Sequence, residues 1–237
     1  ALTIAFMYWS IVLILLKIIS LDKFTLNRQL AISGAGLVGA LSFSFTDSFW
    51  FNAVEAEVYA MATLIMSILF YLGLRWEADM NKPRGNKWLL LICFVIGLSF
   101  GVHFMGLLTI PAIVLIFYFK NQKTIKDSLK INSLYGFLFA NILGLLILMG
   151  IFKLILPNTL KFFSMVELLF VNNFNLPFNS GSIAAFIIIA LSFYYVINYT
   201  AKKNLVTINT LVLCFLFIFI GFSSWLILPI RSNANVV

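Results

Sequence analysis

Three groups of residues in this 237-residue chain could do chemistry. The first is Asp47-Ser48-Phe49-Trp50-Phe51-Asn52-Ala53-Val54-Glu55-Ala56-Glu57-Val58-Tyr59-Ala60, in which carboxylates stand at 47, 55 and 57. A placed carboxylate takes the proton from an attacking hydroxyl. A structural role competes: Asp47 or Ser48 can cap a helix, and an acid near a helix N-terminus is stabilised by its dipole. That role suits Asp47 and fits Glu57 poorly. A helix starting near Ser48 carries Glu57 about nine residues in, roughly 13 Å from its start, where hydrocarbon begins. A carboxylate at that depth is expected to face a cavity or a partner. On such a helix Glu55 lies about 200° from Glu57, while Met61 shares the face of Glu57.

The second group is His103, the one histidine of the chain. Imidazole binds a phosphate oxygen or shuttles a proton near neutral pH, and beside a helix break it also serves as a satisfied turn residue. One His without a His/Cys/Asp cluster has no metal-ligand spacing. The third is Arg231, in Pro229-Ile230-Arg231-Ser232-Asn233-Ala234-Asn235. It reads either as an interfacial anchor that snorkels or as a bidentate clamp on an anion.

The elements that must position these groups follow from composition. The chain is 62% hydrophobic and 10% charged, with a mean hydropathy of +1.06. Soluble domains carry about 25% charged and about 45–50% apolar residues. A soluble globule, a disordered chain and a disulfide scaffold are therefore excluded, which leaves an all-α, polytopic helical membrane protein. The net charge of +8 fits Lys and Arg gathered in cytoplasmic loops better than it fits nucleic-acid binding. Cys93 and Cys214 lie in apolar runs and read as small buried hydrophobes. Gly34-Ala35-Gly36-Leu37-Val38-Gly39 matches a dinucleotide fingerprint but has no βαβ context. It reads as small residues that let helices approach closely, as does Gly97-x-x-x-Gly101.

Apolar runs fall at about 1–19, 29–46, 57–74, 88–101, 104–119, 131–156, 183–200 and 205–228, which predicts about 7–8 membrane-embedded helices. Segments 17–28, 75–87, 120–130 and 201–204 are net basic, whereas 47–57 is acidic and 157–182 balances Lys161 against Glu167. The positive-inside rule puts the basic segments in the cytoplasm and the others outside. Both 75–87 and 120–130 are then inside, so 88–119 must enter and return. One helix of that length would run about 48 Å, too long for a single pass. A short-helix pair or re-entrant hairpin is predicted there, with its apex near Gly101-Val102-His103 and a recess opening outward. The aromatic segment 157–182 is expected in the interface, closed by turns at Leu176-Pro177 and Asn179-Ser180-Gly181. Opening directly on one apolar run and stopping just past another, residues 1–237 read as a single transmembrane domain from a longer protein.

The stretches Phe49 to Ala60, Gly97 to His103 and Ile230 to Asn235, in that order, resemble a family of bacterial multispanning proteins grouped with GT-C glycosyltransferases, beside a eukaryotic protein O-mannosyltransferase. The resemblance implies a GT-C-like fold in a bacterial plasma membrane, with the site on the extracytoplasmic side. It implies transfer of a sugar from a polyprenyl-phosphate donor to an extracytoplasmic protein or glycan acceptor, in the protein case a Ser/Thr hydroxyl. Under it Glu57, Asp47 and Glu55 supply the acidic, catalytic groups and His103 and Arg231 bind the donor phosphate. Tyr59, Asn233 and Trp50 contact sugar or acceptor. Membrane lipid is a partner and nucleic acid is not. The lipid-linked donor is a substrate rather than a cofactor, and a divalent metal stays open. The family pattern also has an earlier span and a first outer loop with a further acidic motif. Neither is in this sequence, so this fragment alone is expected to be inactive. Two other readings remain: a transporter or flippase for lipid-linked sugar, and a non-catalytic scaffold subunit.

Overall fold

Backbone polar groups in hydrocarbon have no water to bond, so an apolar chain satisfies them within helices. The computed structural model follows this rule, with no strand among the described residues. It describes residues 1–19, 25–55, 57–129 and 133–234, and their side chains except those of 123–129, 133, 224 and 227–234. In order the helices are α1 (Leu2–Ile18), α2 (Leu26–Ser44), α3 (Asp47–Val54), α4 (Tyr59–Asp79) and α5 (Asn86–Ser99). A 3₁₀ turn, Phe104–Leu108, leads into α6 (Thr109–Leu129), and α7 (Ser133–Gly150) follows. Two π segments, Ile151–Ile155 and Leu169–Asn173, flank α8 (Leu156–Leu168). The chain ends with α9 (Ser180–Lys202) and α10 (Val206–Ala234).

Among the described residues, 5 helices are long and apolar enough to cross a membrane, and α2 with α3, bent by 64°, makes a sixth if counted as one broken span. Helices α1 and α5 are apolar but shorter. The predicted break within 88–119 is present. Helix α5 ends at Ser99, and the chain turns through 100–103 before the 3₁₀ turn. The two arms do not pack on each other as a hairpin, because α4 lies against both while α5 packs mainly on α10 and α6 on α7.

Two expectations change. The helix predicted to run from Ser48 through Glu57 stops at Val54, and α4 starts afresh at Tyr59. A carboxylate at the C-terminal end of a helix meets the negative pole of its dipole, while one just ahead of an N-terminus meets the positive pole. The break leaves Glu55 as the extended C-cap of α3 and puts Glu57 ahead of α4. Both side chains are exposed, so Glu57 is not carried into the apolar body of a helix. The second change concerns 157–182, which was read as a connection. Residues Leu134–Asn173 form one helical run of 40 residues, roughly 60 Å at 1.5 Å per residue and about twice the hydrocarbon thickness. Pro157 falls in the first turn of α8. It has no N–H to give back to the preceding turn, which accounts for the π geometry just before it.

Two cores hold the bundle. Ile65, Leu69, Leu72 and Trp76 of α4 pack against Ile92 and Ile96 of α5, with Leu107 and Ile110 beside them. Phe163 and Val166 of α8 pack on Ala185 of α9 and on Phe222 and Leu226 of α10. Residues 163 and 166 are thus buried against neighbouring helices.

Candidate functional site

Parallel packing of α5 on α10 sets the position of the break. A Cβ on Gly97 would lie 2.2 Å from the Ile218 carbonyl oxygen, and one on Gly101 would sit inside the Trp225 ring. Gly221 in turn approaches the Phe94 carbonyl. Near the other end, Asn86 Nδ2 donates to Thr210 Oγ1 at 3.4 Å across 124 positions. The pairs Gly97–Gly221 and Gly101–Trp225 keep the same offset. One register therefore runs the length of α5. At Gly97 the small-residue reading holds, since only a missing Cβ allows backbones this close, while Gly101 makes room for the Trp225 ring. In the Gly34-to-Gly39 stretch, Gly36 and Gly39 meet α1 through Val12, Tyr8 and Ile11, while Gly34 has nothing within 4 Å.

At the end of α5, the backbone N–H of His103 donates to the Ser99 carbonyl at 2.8 Å. Ser99 is fully buried, and its Oγ donates to the Ile96 carbonyl. His103 is extended (φ −163°) and caps the 3₁₀ turn, its Nδ1 accepting from the Met105 N–H at 3.2 Å. With Nδ1 used as an acceptor, Nε2 is the ring nitrogen left to donate. The half-buried ring lies against Tyr59, centroids 5.8 Å apart at 48°. Two residues singled out from separate motifs thus meet where α4 begins and α5 ends. Glu57 precedes Tyr59 by two positions.

The bend before α3 is held by Phe43 packing on Phe49, rings 4.8 Å apart and tilted by 47°, and by Thr46 Oγ1 donating to the Phe43 carbonyl. Asp47 lies in the first turn of α3, where the dipole favours it. The cap itself is Thr46, not Asp47 or Ser48, and it makes no side-chain cap bond. Trp50 is exposed on α3, which packs on α4. Arg231 and Asn233 fall on the last turns of α10, and their side chains lie outside the described residues. The register brings the backbone of Arg231 about six residues, or roughly 9 Å, beyond the Trp225 that covers Gly101. That is the end of α10 nearest His103.

Sequence reasoning passed over Glu167, counting it only against Lys161. It is 4% exposed. Its carboxylate accepts from the Asn179 N–H at 2.5 Å, the Ser182 N–H at 2.6 Å and the Ser182 Oγ at 2.9 Å. It therefore caps α9 from a neighbouring helix. Gly181 makes room, since a Cβ there would lie 2.4 Å from the Glu167 Cα. The signal that could have found it is a lone acid in an apolar stretch, which demands a partner.

An apolar cavity of about 30 Å³ lies between Phe100, the π segment at Ile151 and Ile155, and Phe215, Phe219 and Phe222 of α10. Among the described residues no three His, Cys, Asp or Glu side chains group as metal ligands do. Cys93 is buried and Cys214 half-buried, and both are free thiols.

Helices of this length and apolarity, with polar motif residues gathered at a break near one end, define a polytopic helical membrane protein. Residues 1–126 match the model of the protein O-mannosyl-transferase TMEM260 N-terminal domain. The match covers more than half of the chain, which belongs to this family. It takes in the motifs around Glu57 and His103 and stops short of Arg231. Membership points to glycosyltransferase chemistry of the protein O-mannosyltransferase type. No curated protein and no solved structure matches the chain.

Proposed function

We propose that this chain forms part of a GT-C-type membrane glycosyltransferase. It would move a sugar from a polyprenyl-phosphate donor to an extracytoplasmic acceptor, in the first instance a protein Ser/Thr hydroxyl. The observation that carries this reading is the meeting of Tyr59 and His103 directly after the exposed carboxylates of Glu55 and Glu57. A base, a hydrogen-bond donor for phosphate and an aromatic hydroxyl are what such a transfer needs in one place.

In the proposed step a carboxylate takes the proton of the acceptor hydroxyl, and Glu57 completes that acidic site or orients donor or acceptor. The oxygen forms a bond to the anomeric carbon as the bond from that carbon to the donor phosphate breaks, inverting the centre. The electron pair leaves on the lipid phosphate, where Nε2–H of His103 and the guanidinium of Arg231 meet the charge. Glu55 and Asp47 complete the acidic rim, and Tyr59, Trp50 and Asn233 contact sugar or acceptor.

The test is sugar transfer from a lipid-linked donor by purified full-length protein. Glu57→Gln is expected to lower transfer about 10²-fold or more, as misplacing a reacting group does. Undiminished transfer by this variant would remove Glu57 from the mechanism. Donor translocation across vesicles without any transfer would favour a flippase instead.

A further inference from the structure

The opposite end of the bundle carries a second feature, independent of the proposed transfer. Two acidic side chains among the described residues there are already engaged. Glu77 pairs with Lys17 and with Lys120, and Asp79 accepts from Lys82 Nζ and from Trp88 Nε1, both at 2.8 Å. Arg84, Lys87, Lys202 and Lys203 are exposed there, and none of the described salt bridges involves them. Arg84 and Lys203 sit on two tight turns, with Lys87 in the first turn of α5 and Lys202 at the end of α9. In the first, the Lys82 N–H donates to the Asp79 carbonyl and the Gly85 N–H to that of Lys82. Arg84 there is left-handed (φ 62°). A Cβ on Gly85 would strike the Asp79 carbonyl, so the turn has little freedom. In the second, the N–H groups of Lys203 and Leu205 return to the carbonyls of Tyr199 and Thr200. The bond from Asn86 to Thr210 and those from Asn209 Nδ2 to Thr200 Oγ1 and the Ile197 carbonyl tie the two turns to the start of α10. Four cations outside those salt bridges are thus held at two short, ordered connections tied to one helix.

Aromatic side chains mark the level of this cluster. The Trp88 ring lies under the Arg75 guanidinium and the Lys87 ammonium, each 5.0 Å from its centroid. Tyr195 and Tyr199 stack, centroids 6.4 Å apart, and are 70% and 50% exposed. Exposed Tyr and half-buried Trp collect at the headgroup level of a bilayer. Cations at that level meet phosphate fixed in the membrane surface.

We propose that the turns 80–87 and 202–205 form a docking surface for the phosphate headgroup of an anionic phospholipid, held by Arg84, Lys87, Lys202 and Lys203. Purified full-length protein, stripped of lipid, is incubated in detergent micelles containing equal phosphatidylglycerol and phosphatidylcholine, and the retained lipid is counted by mass spectrometry. Phosphatidylglycerol should be retained in several-fold excess, and the excess should shrink as salt is raised. Each basic charge near an anionic surface is expected to change that preference about fivefold. Lys202→Gln with Lys203→Gln should therefore bring retention of the two lipids close to equal, and Arg84→Gln with Lys87→Gln similarly. The charge-keeping set Arg84→Lys, Lys202→Arg, Lys203→Arg should retain it. Equal retention of the two lipids by the unaltered protein would overturn the proposal, as would a preference untouched by the Gln variants or lost in the charge-keeping set. Displacement of the lipid by millimolar glycerol phosphate would overturn a membrane headgroup as the occupant.

Discussion

At the scale of single residues, His103 and Glu167 show how one side chain holds local geometry that chemistry then uses. His103 has two jobs on two nitrogens: Nδ1 accepts from the Met105 N–H, and Nε2 is left to donate. The two can be separated. Asn is a good cap acceptor but cannot reach as far with a donor. His103→Asn is expected to keep thermal stability within about 1 kcal/mol while lowering sugar transfer about 10²–10³-fold, as loss of one charge-stabilising donor does. Equal losses of stability and transfer would reduce His103 to a turn residue. Glu167 works through structure alone. Glu167→Ala leaves the N–H groups of Asn179 and Ser182 without the acceptor they now share. Hydrogen bonds to a charged group contribute about 1.5–3 kcal/mol each, so a loss of at least about 3 kcal/mol is expected on denaturant unfolding in detergent, with Glu167→Gln intermediate. His103 was legible because it is the one histidine and stands at a visible break. Glu167 was not, because its partners lie 12 and 15 positions away and follow from how α8 meets α9.

At the scale of elements, glycines do different work under one motif. Gly36 and Gly39 touch α1, and Gly97 touches the backbone of α10. Gly97→Val would force apart backbone that cannot shift its carbonyl, so a loss of about 1–3 kcal/mol or more is expected. Because the same contact fixes the break at 100–103, transfer should fall with it. Gly34 has open space around it, and Gly34→Ala is expected to be neutral or stabilising by about 0.5–1 kcal/mol, since Ala loses less backbone entropy in a helix. Paired melting curves of the two variants check both signs at once. The apolar runs made the spans legible, and the small residues made close packing legible. The break between α3 and α4 was hidden, because residues 55–58 hold no Gly or Pro and their pattern continues a helix. The α5–α10 register was hidden too, since partners 124 positions apart leave no periodicity to read.

At the scale of the molecule, the charge map of the sequence becomes a shape. Basic segments far apart in the chain meet at one end through Lys17, Glu77 and Lys120 and through Asn86 and Thr210. The starts of α4 and α9, the end of α5 and the acidic 47–57 segment gather at the other end. This two-ended order is what the positive-inside rule expects of a bundle whose basic end faces the cytoplasm. The orientation can be tested with single cysteines in a Cys93→Ala, Cys214→Ala background. Ser48→Cys and Lys203→Cys both replace exposed side chains, at the acidic and basic ends. In intact cells a membrane-impermeant maleimide is expected to label Ser48→Cys fully and Lys203→Cys only after permeabilisation. The reverse pattern would turn the bundle over. It would put the Tyr59–His103 pair in the cytoplasm, out of reach of an extracytoplasmic acceptor. Labelling of both in intact cells would mean that the two ends do not lie on opposite sides of the membrane.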